Sequence, residues 1–135
     1  IEFNARFGDP ETQVVLPRMA SDFGEFMLAL MNEEPFDLQW KDEGILGVVV
    51  AAEGYPGDVE KGHALPNLSD LALPVYHAGT KLVDGQFVGN GGRVILVAAE
   101  AEDLKEAQEK VYAELAKKEW PNFFFRQDIG WRTFE

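Results

Sequence analysis

The chain has 135 residues, 46% hydrophobic and 27% charged, which is enough for a packed core and excludes a disordered composition. Asp and Glu number 24 against 12 Lys and Arg, a formal net charge of −12, which argues against a nucleic-acid partner or an anionic membrane surface. Cysteine is absent and no apolar run approaches the roughly 20 residues of a membrane span, so disulfide frameworks, thiolate metal sites and spanning helices are excluded and a cytoplasmic location is expected.

The chain opens on Ile1-Glu2-Phe3-Asn4-Ala5-Arg6, which alternates apolar and polar residues with a period of two. The alternation predicts a strand with Glu2, Asn4 and Arg6 in one polar row. A carboxylate and an amide oxygen suit a hard cation such as Mg²⁺, and a guanidinium suits a phosphate or carboxylate. An edge strand with a solvated polar face fits the same pattern. Gly8 then permits a change of direction, Asp9 is a candidate N-cap and Pro10 fits a first helical position. The first helix is expected from Pro10 to about Met19, with Pro17 kinking or ending it. A second helix, capped by Ser21 or Asp22, sets Phe23, Phe26, Met27, Leu30 and Met31 in one 3.6-residue stripe, read as core packing. Residues 32–44 lose periodicity, which divides the chain into units 1–42 and 43–135.

The second unit reads as β-rich. Ile45–Ala52 is a continuous apolar run and predicts a buried strand. Residues 53–63 are too rich in Gly and Pro for regular structure and form a loop. A strand ends at His77, and Asp84-Gly85 between two short apolar runs predicts a hairpin. Arg93–Ala99 is another apolar strand. A long helix spans about Glu102 to Lys118, with Asp103 and Glu106 as a capping box. Leu104, Ala107, Val111 and Leu115 line its inner face, and Lys105, Glu109 and Glu114 are expected to look outward. Phe123-Phe124-Phe125 suggests a short final strand. The expected class is α+β: a strand and two helices, then a mostly antiparallel β unit with one long packed helix.

Nucleophilic catalysis finds no support: there is no Cys and no Gly-x-Ser-x-Gly elbow. His77 ends an apolar strand and reads as structural, while His63 lies in the Gly-rich loop and stays open. No Walker phosphate loop occurs. Three clusters remain. They are the opening strand, the loop 54–62 with Lys61, and Gly91-Gly92-Arg93, each of which also reads as ordinary surface.

A resemblance changes that balance. Glu2-Phe3-Asn4-Ala5-Arg6-Phe7-Gly8-Asp9-Pro10-Glu11-Thr12-Gln13 resembles the final active-site strand of the ATP-grasp ligases, in the form found in the phosphoribosylamine–glycine ligase family. Gly54-Tyr55-Pro56 through Lys61-Gly62, His77-Ala78-Gly79-Thr80, Gly91-Gly92-Arg93-Val94 and Arg126-Gln127-Asp128-Ile129-Gly130 are similar to later motifs of that family, in the same order. Val59 departs from the pattern, standing where an aromatic residue is expected. The chain lacks an initiator methionine and begins inside an expected strand, so it is read as the C-terminal portion of a longer ligase.

The resemblance implies the end of an ATP-grasp domain over 1–42 and a barrel-sandwich-like C-terminal domain over 43–135. It implies ATP, glycine and 5-phosphoribosylamine as substrates in purine biosynthesis, with Mg²⁺ or Mn²⁺ held by Glu2 and Asn4. Arg6 is then the catalytic phosphoryl-binding residue, Asp9 the ligand of an amine, and Lys61 and Arg93 candidates for a ribose 5-phosphate. The fragment alone is expected to be inactive without its upstream domains. The rival expectation is a non-catalytic carrier or docking module. Lys81 counts against it, because it precedes the Asp84-Gly85 turn rather than sitting at its tip.

Overall fold

Two long apolar strands set the fold. The computed structural model describes residue 3 and residues 5–134. β1 (Gly44–Ala52) pairs antiparallel with the last long strand, Arg93–Ala101, from Gly44 opposite Ala101 to Ala51 opposite Arg93, with an irregularity after Val50. In chain order the strands are β1, β2 (Val75–His77), β3 (Thr80–Val83), β4 (Gln86–Gly89), β5 (Arg93–Ala101) and β6 (Phe123–Phe125). Four of them form a sheet in the order β2-β5-β1-β6, and β3 and β4 form a separate hairpin. All these pairings are antiparallel. The molecule is thus mixed α/β with antiparallel sheets, as expected. The hairpin turns at Asp84 and Gly85, whose φ angles of 47° and 81° suit the tight turn that the dipeptide predicts.

Among the described residues the α-helices are α1 (Thr12–Val15), α2 (Phe23–Met31) and α3 (Leu104–Leu115). One face of the sheet presents Leu46, Val48, Val50, Ile95, Val97 and Ala99 to Ala107, Val111 and Leu115 of α3, and all are buried. Fully burying a side chain of this size contributes roughly 1.5–3 kcal/mol, so this layer is the main source of stability. Asp103 caps α3, accepting from the Glu106 N–H at 2.8 Å. The box is half made, since the Glu106 side chain turns instead to Lys110. The other face is approached by α1, where Val14 stands against Gly47 and Leu96.

Several expectations are corrected. Phe3 and Ala5 lie in no strand and Phe3 is 98% exposed, so the opening strand is not formed at the described positions. A strand needs a neighbour for its backbone groups, and no described strand of this chain lies beside it. The first helix is shorter than expected: α1 gives way to a 3-10 turn at Leu16–Arg18, which contains Pro17. Glu11, not Asp9, occupies its N-cap, and no side chain caps it.

The apolar stripe of α2 is not core. Asp22 caps the helix as expected, accepting from Glu25 N–H at 2.9 Å. Yet Leu30 is 60% and Met31 77% exposed, and Ala29 alone of its residues is buried. Its first turn instead joins an aromatic row, Phe7–Phe23–Phe26–Phe36.

Glu114, expected to face solvent, is buried. It accepts from the Ala72 N–H at 2.7 Å and from Lys117 Nζ at 2.6 Å, tying the 66–74 loop to α3. The Lys117 hydrogen bond, seconded by the Ala72 N–H, holds its carboxyl below the usual carboxylate range. The C-terminal tail is fixed to α3 as well. The Tyr112 hydroxyl donates to the Arg126 carbonyl at 2.7 Å and accepts from the Ile129 N–H at 3.0 Å. Burial pushes that phenol up, and the Arg126 guanidinium, bonded at 2.8 and 2.6 Å, holds Asp128 down.

Candidate functional site

Three of the sequence motifs meet at one end of the sheet. The Gly91-Gly92 turn delivers the chain into β5 at Arg93. The Gly92 carbonyl accepts from the Ala52 N–H at 2.8 Å, at the end of β1. On the other side, the Arg93 carbonyl accepts from the Gly79 N–H at 2.9 Å, in the segment His77-Ala78-Gly79-Thr80. Both glycines are required by close approach: a Cβ on Gly79 would stand 2.6 Å from the Arg93 carbonyl oxygen, and one on Gly92 would overlap the Tyr55 ring. Tyr55 belongs to the Gly-Tyr-Pro loop, so that loop packs directly on the Gly-Gly-Arg turn.

Asp9 reaches the same place from 84 residues away. Its Oδ2 lies 3.3 Å from Arg93 Nη2, and its Oδ1 accepts from Gln13 Nε2 at 3.0 Å. The Asp9 and Arg93 side chains are 44% and 41% exposed, so both charges are open to solutes. Gln13 was not singled out from sequence, although its i+4 spacing from Asp9 on a helix start is a readable signal. Its Oε1 is buried without a partner among the described residues. Tyr55 was not singled out either, and nothing local in the sequence points to its contact with Gly92.

The other described candidates, Lys61 and Arg6, form no side-chain hydrogen bond or ion pair with this cluster among the described residues. Lys61 is exposed beside Gly62, whose N–H donates to the Gly89 carbonyl at 2.8 Å. This pairing brings the loop's lysine end to the end of β4. Arg6 is exposed and donates to the neighbouring Phe7 carbonyl at 3.0 Å. Glu2 and Asn4 lie outside the described residues. Among the described residues no three acidic or histidine side chains gather as a metal site. His77 is exposed, with Nδ1 2.9 Å from Thr80 Oγ1 and its ring 4.3 Å from that of Phe87. His63 sits 3.0 Å from Glu60. A broad cleft between α1, Trp40 and the start of α3 contains none of the predicted site residues.

What the cluster offers chemically is a paired cation and anion on a base of glycine turns, beside the Gln13 amide that donates to Asp9. Such a pair suits a ligand with an amine and an acidic group.

A family model described as phosphoribosylglycinamide synthetase, C domain, matches residues 45–132, well over half of the chain. The chain belongs to this family. Phosphoribosylamine–glycine ligases of Listeria innocua and Halalkalibacterium halodurans are 54% and 51% identical to it. Each alignment covers 96% of this chain but only 32% and 31% of those proteins. A crystal structure of phosphoribosylamine–glycine ligase from Thermotoga maritima superposes with a TM-score of 0.82 at 32% identity, over 96% of this chain and 33% of that one. The chain therefore spans about a third of the length of the family relatives it matches. The synthetase C-domain match covers the loop 54–62, the Gly91-Gly92-Arg93 turn and the tail, but not Asp9.

Proposed function

We propose that this chain is the C-terminal third of a phosphoribosylamine–glycine ligase. The observation that carries the reading is the likeness to such ligases along 96% of the chain, at 54% identity. The exposed apolar stripe of α2 supports it from physics. A capped helix with Leu30 and Met31 in solvent fits one side of an interface, and a polypeptide as long as the relatives has chain enough to cover it. On this reading residues 1–42 are the end of an ATP-grasp domain and 43–135 a barrel-sandwich-like C-terminal domain. The protein works in the cytoplasm, in purine biosynthesis, without nucleic acid or membrane.

The reaction joins glycine to 5-phosphoribosylamine. The glycine carboxylate takes the γ-phosphoryl group of ATP, giving ADP and glycyl phosphate. The amine of phosphoribosylamine attacks the acyl carbon, and phosphate leaves as glycinamide ribonucleotide forms. Catalysis of this kind is mostly positioning and charge stabilisation. Arg6 faces the phosphoryl group in transfer. Asp9 holds an ammonium or amine, and its proximity to Arg93 supports a subsite for opposite charges. Lys61 and Arg93 bind the ribose 5-phosphate. Glu2 and Asn4 offer hard oxygen donors that fit Mg²⁺ or Mn²⁺, which when bound neutralises nucleotide phosphate charge.

The test is ATP-dependent formation of glycinamide ribonucleotide by the full-length polypeptide that carries this chain, and by the 135-residue chain alone. Turnover is expected from the first and none from the second. An inactive full-length polypeptide, correctly folded and given all substrates, overturns the reading.

A further inference from the structure

We propose that the Asp9–Arg93 ion pair is a latch opened by ligand: a phosphate ester takes the Arg93 guanidinium from Asp9 and leaves Asp9 an unpaired carboxylate, still in place, for an amine. The proposal rests on the reading of Arg93 as a phosphate-binding side chain given above.

The geometry of the pair shows why it yields. Its contact is a single Nη2–Oδ2 approach of 3.3 Å, longer than the 2.7–2.9 Å of a strong charge-assisted hydrogen bond. Arg93 thus keeps most of its guanidinium donors uncommitted to Asp9, and both groups are about two-fifths exposed. A phosphate ester carries more charge than a carboxylate and takes a guanidinium in two parallel bonds. It therefore wins the competition for Arg93.

The two halves of the latch differ in what happens next. The backbone of Arg93 is held by Gly79 on one side, and Gly92 before it is held by Ala52, so only its side chain has to move. Asp9 keeps its second donor, Gln13 Nε2, on Oδ1. The Gln13 amide cannot simply reverse, because that would turn its oxygen toward the Asp9 carboxylate. Asp9 is thus retained in position when Arg93 leaves, with Oδ2 vacated and ready to accept an ammonium. Phosphate binding at Arg93 and amine binding at Asp9 are in this way coupled, each relieving the other's competitor.

The latch predicts an effect opposite in sign to ordinary damage. Asp9→Asn in the full-length polypeptide removes the competing charge while leaving an oxygen for the Gln13 donor. Calorimetric titration with ribose 5-phosphate at low salt is expected to show about two- to five-fold tighter binding than wild type, the range that an exposed pair of this kind can hold back. Asp9→Ser, read the same way, guards against a fault of folding peculiar to one variant. Arg93→Ala is expected to weaken binding by about tenfold or more. Asp9→Asn in the Arg93→Ala background is expected to change nothing further. Unchanged or weaker binding in both Asp9 variants overturns the latch. So does equal tightening with and without Arg93, which would be a general effect of charge. The ligase reading is decided separately: a wild-type polypeptide that makes glycinamide ribonucleotide but fails these titrations loses the latch alone, and one that passes them without turnover loses the ligase activity alone.

Discussion

Helices α2 and α3 are built from the same local instructions. Each begins at an aspartate that caps the N–H three residues on, at 2.9 Å from Asp22 and 2.8 Å from Asp103. Each carries an apolar stripe at helical spacing. Ala107, Val111 and Leu115 of α3 are fully buried on the β1–β5 sheet, whereas Leu30 and Met31 of α2 stand 60% and 77% exposed. The caps are satisfied by neighbours in sequence, but burial depends on what lies opposite. In α3 the opposite surface is part of the chain. For α2 no described residue covers Leu30 and Met31, and the relatives, about three times as long, contain enough additional polypeptide to do so.

The contrast is sharpened first in the core. Leu115→Ala is expected to cost about 2–5 kcal/mol in thermal or denaturant unfolding of the chain, because the sheet cannot collapse fully onto the cavity. A loss below about 1 kcal/mol would mean that α3 is not the principal cover of the sheet. In α2 the same kind of change should divide by context. Leu30→Ala is expected to fall within about 0.5 kcal/mol of wild type in the 135-residue chain. In the full-length polypeptide it is expected to cost about 2 kcal/mol or more, as a buried leucine does. Equal, small effects in both would leave the stripe without a partner.

Caps come next. Asp103→Ala is expected to cost about 1 kcal/mol, read as a lower unfolding midpoint. The smallest effect is confined to acid. Glu114 has its carboxyl lowered by the Lys117 and Ala72 hydrogen bonds, so the stability it adds is complete above the ordinary carboxylate value of 4.5. That stability is lost as pH falls through the lowered value of the folded state. Glu114→Gln is expected to flatten the decline of the unfolding temperature below pH 4.5, with little change in fold, since its oxygen still accepts from Ala72. An unaltered acid profile would remove Glu114 from the account.

Much of the fold was legible because its signals are local. The valines of β1, the Asp84-Gly85 turn and the stripe of α3 each specify their own geometry within a few residues. Glu114 was misread because its helical position says nothing of the 66–74 loop that folds over it. The stripe of α2 was misread, and Phe3 and Ala5 lie in no strand, for a related reason: periodicity names a face without naming what covers it. The candidate site was legible as separate motifs and as a family resemblance. Its assembly was not, because Asp9 meets Arg93 and Tyr55 meets Gly92 across long stretches of chain. Gln13 alone was within reach, through its spacing from Asp9.

Amide hydrogen exchange over Phe23–Met31 tests the central claim most directly, comparing the 135-residue chain with the full-length polypeptide that carries it. The account predicts slowing of the α2 amides by about tenfold or more in the longer protein, while those of β1 and β5 stay as they are. Identical exchange of α2 in both would contradict it.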